Sequence, residues 1–205
     1  MHFRTLSAVA LAALLTVPSV GSAQAKKGTG TKAQPARTAA ASTAPASKAL
    51  SMGGFLGYEW GDADGFQLRL DGELPFQQLT PQVSLSFVGS VGYTRGSYDF
   101  FAGDVTVQRF KLVPAARFTI PLNPQFSVFG DAGLGLHYTS VDFNYDFFGV
   151  DTSDSDVSFM LRLGAGAFFQ VNPRLRLGGS LVVDPMFGDY DDTTFALLVG
   201  LMYQL

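Results

Sequence analysis

The sequence predicts an all-β fold: an eight-stranded antiparallel up-and-down transmembrane β-barrel. Three observations carry that expectation. The final eleven residues alternate strictly, with Phe195, Leu197, Val199, Leu201, Tyr203 and Leu205 on one parity, the period-2 signature of a strand with one apolar face. Seven earlier stretches after residue 50 alternate in the same way and are separated by turn residues. Past residue 25 no apolar run approaches the ~18 residues that a membrane-crossing helix needs, although the chain is 47% hydrophobic and only 15% charged. A long apolar strand left as a free terminus would present an unpaired edge that invites aggregation. A barrel that pairs its last strand with its first has no such edge.

The chain divides into three parts. Residues 1–25 read as a secretory signal peptide: Arg4 with His2 gives a weakly basic start, residues 6–17 are an apolar stretch of 12, and Pro18 breaks it. Ala23-Gln24-Ala25 fits the small-x-small cleavage pattern, with Gly21-Ser22-Ala23 as a second option. Residues 26–50 are Ala, Thr, Ser, Pro, Lys and Gly with almost nothing to bury, a disordered basic linker by composition. Residues 51–205 form the barrel. All 17 acidic residues lie after position 50, against eight basic ones, so an acidic domain follows a basic tail.

Each strand is read by parity. Residues 54–60 place Leu56, Tyr58 and Trp60 on one face. Residues 66–74 place Phe66, Leu68 and Leu70 there, with Gln67, Arg69 and Asp71 opposite. Residues 82–94 show Val83, Leu85, Phe87, Val91 and Tyr93. Residues 105–120 show Phe110, Leu112, Ala116, Phe118 and Ile120 against Arg109, Lys111 and Arg117. Residues 125–139 show Phe126, Val128, Leu134, Leu136 and Tyr138. Residues 157–171 show Phe159, Leu161, Leu163, Phe169 and Val171 against Arg162 and Gln170. Residues 174–183 show Leu175, Leu177, Leu181 and Val183 against Arg174 and Arg176. The terminal stretch is the eighth.

Three Pro dipeptides punctuate this order. Thr80-Pro81-Gln82, Asn123-Pro124-Gln125 and Asn172-Pro173-Arg174 each feed an alternating strand, so the repeating unit is a hairpin pair. Connections after even strands are tight, with a looser one expected at residues 73–81. After odd strands they are mostly long and acidic, at 95–104, 140–156 and 184–193, while 61–65 is short. Short turns on one side and long loops on the other are expected of an outer-membrane barrel. A periplasmic N-terminus then turns the long loops outward.

Alternation does not say which face is wet, since a soluble lipocalin-like barrel would turn its apolar face inward. Two features favour lipid outside. After position 50 there is one Lys, Lys111, and two Glu, Glu59 and Glu73, too few for a solvated exterior. Aromatics on the apolar face also gather at strand ends. Tyr58, Trp60, Phe66, Tyr93, Tyr138, Phe159 and Phe195 fall near the long connections, and Phe118, Phe126, Phe169 and Tyr203 near the tight turns. Two such bands match the interfacial girdles of membrane barrels.

The ending Gly200-x-x-Tyr203-x-Leu205 resembles the C-terminal signal read by the outer-membrane assembly machinery, with Leu205 where Phe or Trp usually stands. With the strand count, residues 51–205 resemble the small OmpX/OmpA-type outer-membrane β-barrel domain family. The resemblance implies a cell outer membrane location in a Gram-negative envelope. It also implies lipid, lipopolysaccharide and the assembly machinery as partners, with Gly200, Tyr203 and Leu205 as the assembly signal.

An eight-stranded barrel is just wide enough for side chains to fill it. Glu59, Arg69, Asp71, Arg109, Lys111, Arg117, Asp131, Arg162 and Arg176 are expected to point inward as an ion-pair network, because a lone buried charge is costly. His137 raises an enzymatic alternative: small barrels that deacylate lipid A use a His with Ser two residues on, and here Thr139 holds that place and Ser140 the next. Asp151, Asp154 and Asp156 are carboxylates of the kind that hold Ca²⁺ but lack an EF-hand's spacing. Tyr98, Phe100, Phe101, Phe143, Tyr145, Phe147 and Phe148 gather in the long connections and favour contacts at the cell surface.

With two His and no Cys, no metal, cofactor or nucleic acid is expected. The reading is a monomeric, non-enzymatic envelope barrel with a structural or surface-interaction role and a surface ligand. Its alternatives are a narrow porin-like channel for small or apolar solutes, and a lipid A-modifying enzyme.

Overall fold

A computed structural model describes residues 49–61, 64–100, 103–145, 150–188 and 192–205. Eight strands follow in chain order: β1 (Ser51–Trp60), β2 (Gly65–Thr80), β3 (Val83–Phe100), β4 (Gly103–Pro121), β5 (Phe126–Tyr145), β6 (Val150–Asn172), β7 (Leu175–Phe187) and β8 (Thr193–Gln204). Each pairs antiparallel with its sequence neighbours, and β8 returns to β1, closing the ring.

The three Pro turns owe their resemblance to one hydrogen-bonding device. Asn123 Oδ1 accepts the backbone N–H groups of Gln125 (2.9 Å) and Phe126 (2.8 Å). Asn172 Oδ1 accepts those of Arg174 and Leu175, both at 2.9 Å. Thr80 Oγ1 accepts from Gln82 N at 3.3 Å. A short polar side chain replaces the backbone partner lost at the reversal, and the proline after it cannot continue the preceding ladder.

Closure rests on an unbroken register from Ser51↔Gln204 to Trp60↔Phe195, extended by Leu205 N donating to Leu50 O at 2.9 Å. Small residues let the two strands approach. A Cβ on Gly200 would collide with the Gly54 carbonyl oxygen and stand 2.7 Å from Phe55 Cα. Across the same seam, a Cβ on Gly57 would collide with the Leu197 carbonyl oxygen. Backbone that close leaves room for hydrogen alone.

The apolar parity faces outward. Phe66 is 78% exposed, Phe159 72% and Leu134 71%, while Arg69, Arg117, Arg162 and Lys111 are buried. That is the inverse of a soluble barrel. Outward aromatics make contact across strands, Tyr58 with Phe66 (5.6 Å between centroids), Tyr93 with Phe110 (4.8 Å) and Phe126 with Phe169 (5.0 Å), and along β1, Tyr58 with Trp60 (5.3 Å).

The strands run further than hydropathy indicates. The expected loops at 95–104 and 140–156 are largely strand, because β3 and β4 pair out to Phe100↔Gly103 and β5 and β6 out to Tyr145↔Val150. β7 likewise continues to Phe187, and the loose connection at 73–81 is the end of β2, with register shifts at Pro75/Gln77 and Gln78/Thr80. Once a hairpin leaves the membrane both its faces meet water. The apolar alternation then stops while ladder hydrogen bonding goes on.

Two measurements check this architecture. Gly200→Ala should weaken the folded barrel by roughly 1–3 kcal/mol through overpacking at the seam, lowering the temperature of its heat-modifiable gel shift. Gly72→Ala, where a Cβ meets nothing within 4 Å, should not. Trp60 is the sole tryptophan, so its fluorescence should be quenched more by lipids brominated near the headgroup than near the chain end. Stronger quenching from the chain end would contradict its place in an interfacial band.

Candidate functional site

Parity sends the long strands through the wall with alternate side chains inside, and the charges collect there in two groups. In the half nearer the tight turns, Arg117 is the hub. Its guanidinium donates to Asp131 Oδ1 (2.7 Å) and Oδ2 (2.8 Å), to Glu73 Oε2 (3.1 Å) and to Asp71 Oδ2 (3.3 Å). Arg69 pairs with Asp71 at 3.0 Å and Arg176 with Glu73 at 3.2 Å. Ser90 Oγ donates to Asp71 Oδ1 at 2.8 Å. Three guanidinium groups thus face three carboxylates. Aromatic faces complete the cage: Arg117 lies 4.4 Å from the Phe129 centroid, Arg69 4.6 Å from Phe55 and Arg176 4.6 Å from Phe168. Phe129 and Phe168 stack at 4.5 Å. Cation–π contact of this kind strengthens once water is excluded.

In the outer half, Lys111 is the hub. Its Nζ donates to Glu59 Oε2 (2.8 Å), Asp184 Oδ2 (3.1 Å) and Thr194 Oγ1 (3.1 Å). Arg162 donates to both Asp184 oxygens at 2.9 and 2.8 Å. Arg109 bridges Glu59 (3.3 Å) and Asp192 (3.0 Å), and Thr94 Oγ1 donates to Glu59 at 3.0 Å. Again three cations face three carboxylates. Each group neutralises itself, which is the condition for burying charge in a narrow lumen.

All nine residues expected inside on parity are placed in these two groups. Three of their partners, Glu73, Asp184 and Asp192, lie where the sequence reads as connection, at residues 73–81 and 184–193. Glu73 shares the odd parity of Arg69 and Asp71, and Asp184 the even parity of Arg176, so the signal is present. Apolar side chains share the lumen with these charges. Phe55, Phe129, Phe168, Val182, Ala196, Leu198 and Met202 form one buried apolar cluster, and Val113, Met160 and Met186 another.

His137 is 1% exposed on the lumen face of β5, and its Nδ1 has no hydrogen-bond partner. Ser140 and Asp142 have the opposite parity on the same strand, so they turn away from it. Asp142 instead accepts from Gln108 Nε2 at 3.5 Å, and Gln108 Oε1 accepts from Tyr93 OH at 3.2 Å. Ser158 sits opposite His137 in the β5–β6 ladder, but its hydroxyl donates to Asp156. Asp154 accepts from the Ser155 amide. Among the described residues no three metal-ligating side chains gather. Of the aromatics expected in the connections, Phe101, Phe147 and Phe148 lie outside the described residues, as do the side chains of Tyr98, Phe100 and Tyr145; Phe143 is half-buried on β5.

Above the rim the barrel changes character. β2 last pairs with β3 at Phe66↔Arg95, and β7 last pairs with β6 at Phe159↔Phe187. Among the described residues β3 and β6 continue with a ladder partner on one side only. β5 and β6 have 20 and 23 residues, against the ~9–11 that span a membrane. Four strands therefore form a sheet standing beyond the ring.

The chain matches the family model for the outer membrane protein beta-barrel domain over residues 7–203. No curated protein sequence matches it. Among solved structures it is similar to Neisserial surface protein A, at 16% identity and a TM-score of 0.57, covering 76% of this chain and 96% of that one. A major outer membrane protein of Thermus thermophilus has the same identity and TM-score, covering 77% and 100%. The outer membrane enzyme PagL, at 16% identity and a TM-score of 0.50, covers 76% and 99%. Such distant likeness speaks for the fold, and the fold is shared by an enzyme and by surface proteins. The family match, spanning nearly the whole chain, carries the identification: the protein belongs to the outer membrane protein β-barrel domain family and resides in the outer membrane.

Proposed function

We propose that this barrel is a non-conducting, non-catalytic envelope protein whose surface role lies in the sheet formed by β3–β6 beyond the rim. The observation that carries this reading is the filling of the lumen. Arg69, Arg117, Arg162, Phe55, Lys111, Phe168, Met160, Leu198 and Met202 all have less than 2% of their surface accessible. A solute would have to break a self-neutralised network to pass. The separation of His137 from Ser140 and Asp142 across β5 supports the non-catalytic half of the reading. The ending Gly200, Tyr203 and Leu205 serves assembly in this proposal, Tyr203 and Leu205 presenting the outward apolar parity and Gly200 fitting the seam. The basic segment at 26–50 acts as a periplasmic spacer behind a cleaved signal at 1–25, and the folded protein is a monomer.

Purified protein in planar bilayers should show no stable, discrete conductance steps; reproducible steps would favour the narrow-channel alternative. Arg117→Ala leaves Asp131 buried without a cation and takes one from Asp71 and Glu73, and should cost about 3–5 kcal/mol in denaturant unfolding from micelles, while Arg174→Ala in its exposed turn should change stability by less than about 0.5 kcal/mol. For the surface role, trimming both protruding hairpins to the rim should leave the heat-modifiable barrel intact. Expressing cells should then be held less well on protein-coated surfaces. Equal retention would remove the sheet from the reading.

A further inference from the structure

Of the eight basic residues after position 50, six point into the lumen and Arg174 sits in an exposed turn. The eighth, Arg95, is the one basic residue on the outward parity of the described strands. It is exposed, and among the described residues it forms no ion pair. Its height is fixed by register. It pairs with Phe66 on β2 and with Gln108 on β4, one step beyond Tyr93 and Phe110. It therefore stands at the outer edge of the upper aromatic band, where a cation on the lipid face costs little and meets headgroups.

Beneath it lies a groove. Its lining is Leu56, Tyr58, Phe66, Leu68 and Tyr93 with Arg95 at the mouth, over Gly57 and Gln67, and its volume is about 580 Å³. That falls within the roughly 300–1,000 Å³ of small-ligand sites. Its shape comes from register as well: Phe66 lies between Tyr58 and Arg95, and Leu68 between Leu56 and Tyr93. Aromatic contacts brace both sides, Tyr58 against Trp60 and Phe66 on one, and Tyr93 against Phe110 on the other. The nearby described carboxylates are engaged: Asp64 accepts from the Gly61 amide at 3.0 Å, and Asp142 accepts from Gln108.

The geometry points to a lipid-binding site here: Arg95 takes the phosphate of a phosphorylated, multiply acylated glycolipid of the outer leaflet, and one of its acyl chains lies along β2 in the groove. Charge complementarity selects the headgroup. A guanidinium matches phosphate oxygens through paired N–H donors, and its hydrogen bonds strengthen where water is scarce. The apolar walls select a chain over a free anion. The site is independent of any role of the protruding sheet.

The test uses the full-length protein in detergent, with native mass spectrometry reading bound lipid. The probes are diphosphorylated lipid A and the same lipid with its phosphates removed. The wild type should retain one diphosphorylated lipid. Arg95→Gln should lower its apparent affinity about tenfold, the effect of losing one charge-assisted contact, and Arg95→Lys should recover part of it. The dephosphorylated lipid should bind the wild type as weakly as the intact lipid binds Arg95→Gln. Leu68→Trp, which fills the groove, should weaken both lipids. An unchanged heat-modifiable gel shift establishes that each variant is folded. Equal retention of diphosphorylated lipid by wild type and Arg95→Gln would overturn the proposal. So would equal binding of both lipids, or displacement by millimolar inorganic phosphate, which would mark a free-anion site.

Discussion

Everything in this protein follows from one requirement: inside a lipid bilayer each backbone N–H and C=O must be paired within the protein. A sheet meets it by closing on itself. The ladder from Ser51↔Gln204 to Trp60↔Phe195 is that closure, and it dictates much else. It requires an even number of strands if both ends are to lie on one side. It requires glycine at Gly57 and Gly200, where the strands of the seam approach too closely for a side chain. It gives every spanning residue one of two fates, lipid or lumen.

The lumen then becomes the place where polarity has to be reconciled with burial. Two groups of three cations and three carboxylates do this, each summing to neutrality, with Arg117 and Lys111 as hubs. The aromatic rings of Phe55, Phe129 and Phe168 cover guanidinium faces that have no oxygen partner. This arrangement fills the interior with buried side chains, and the proposal of a non-conducting barrel rests on that filling. Above the rim the constraint relaxes. Water satisfies edge groups there, so β3–β6 extend beyond their outer neighbours.

The sequence and the structure agree where a residue's parity decides its environment. Arg69, Asp71, Arg109 and Lys111 can be placed inside from alternation alone, and Phe66, Tyr93 and Phe159 outside. They part where the apolar signal ends before the strand does. Glu73 and Asp184 read as connection residues because the hydropathic alternation fades around them, yet the ladder carries both inward to complete the ion pairs. The relation between His137, Ser140 and Asp142 shows the converse. Their closeness in sequence invites a catalytic grouping that a pleated strand divides between its faces. The Pro turns are legible as turns, but the side-chain oxygen of Asn123, Asn172 or Thr80 that accepts from the backbone of each is a matter of three-dimensional hydrogen bonding.

By itself, then, the chain determined the class of fold, the number of strands, the outward apolar face and the identity of most lumen charges. These depend on period and composition, which are local properties of the order of residues. Which carboxylate meets which cation was decided only by the tertiary structure, as was the division of the charges into two neutral groups, the length of the protruding sheet and the groove below Arg95. Those depend on the stagger between strands. A one-residue slip would reverse every side chain, and no single strand records the register it will adopt with its neighbours.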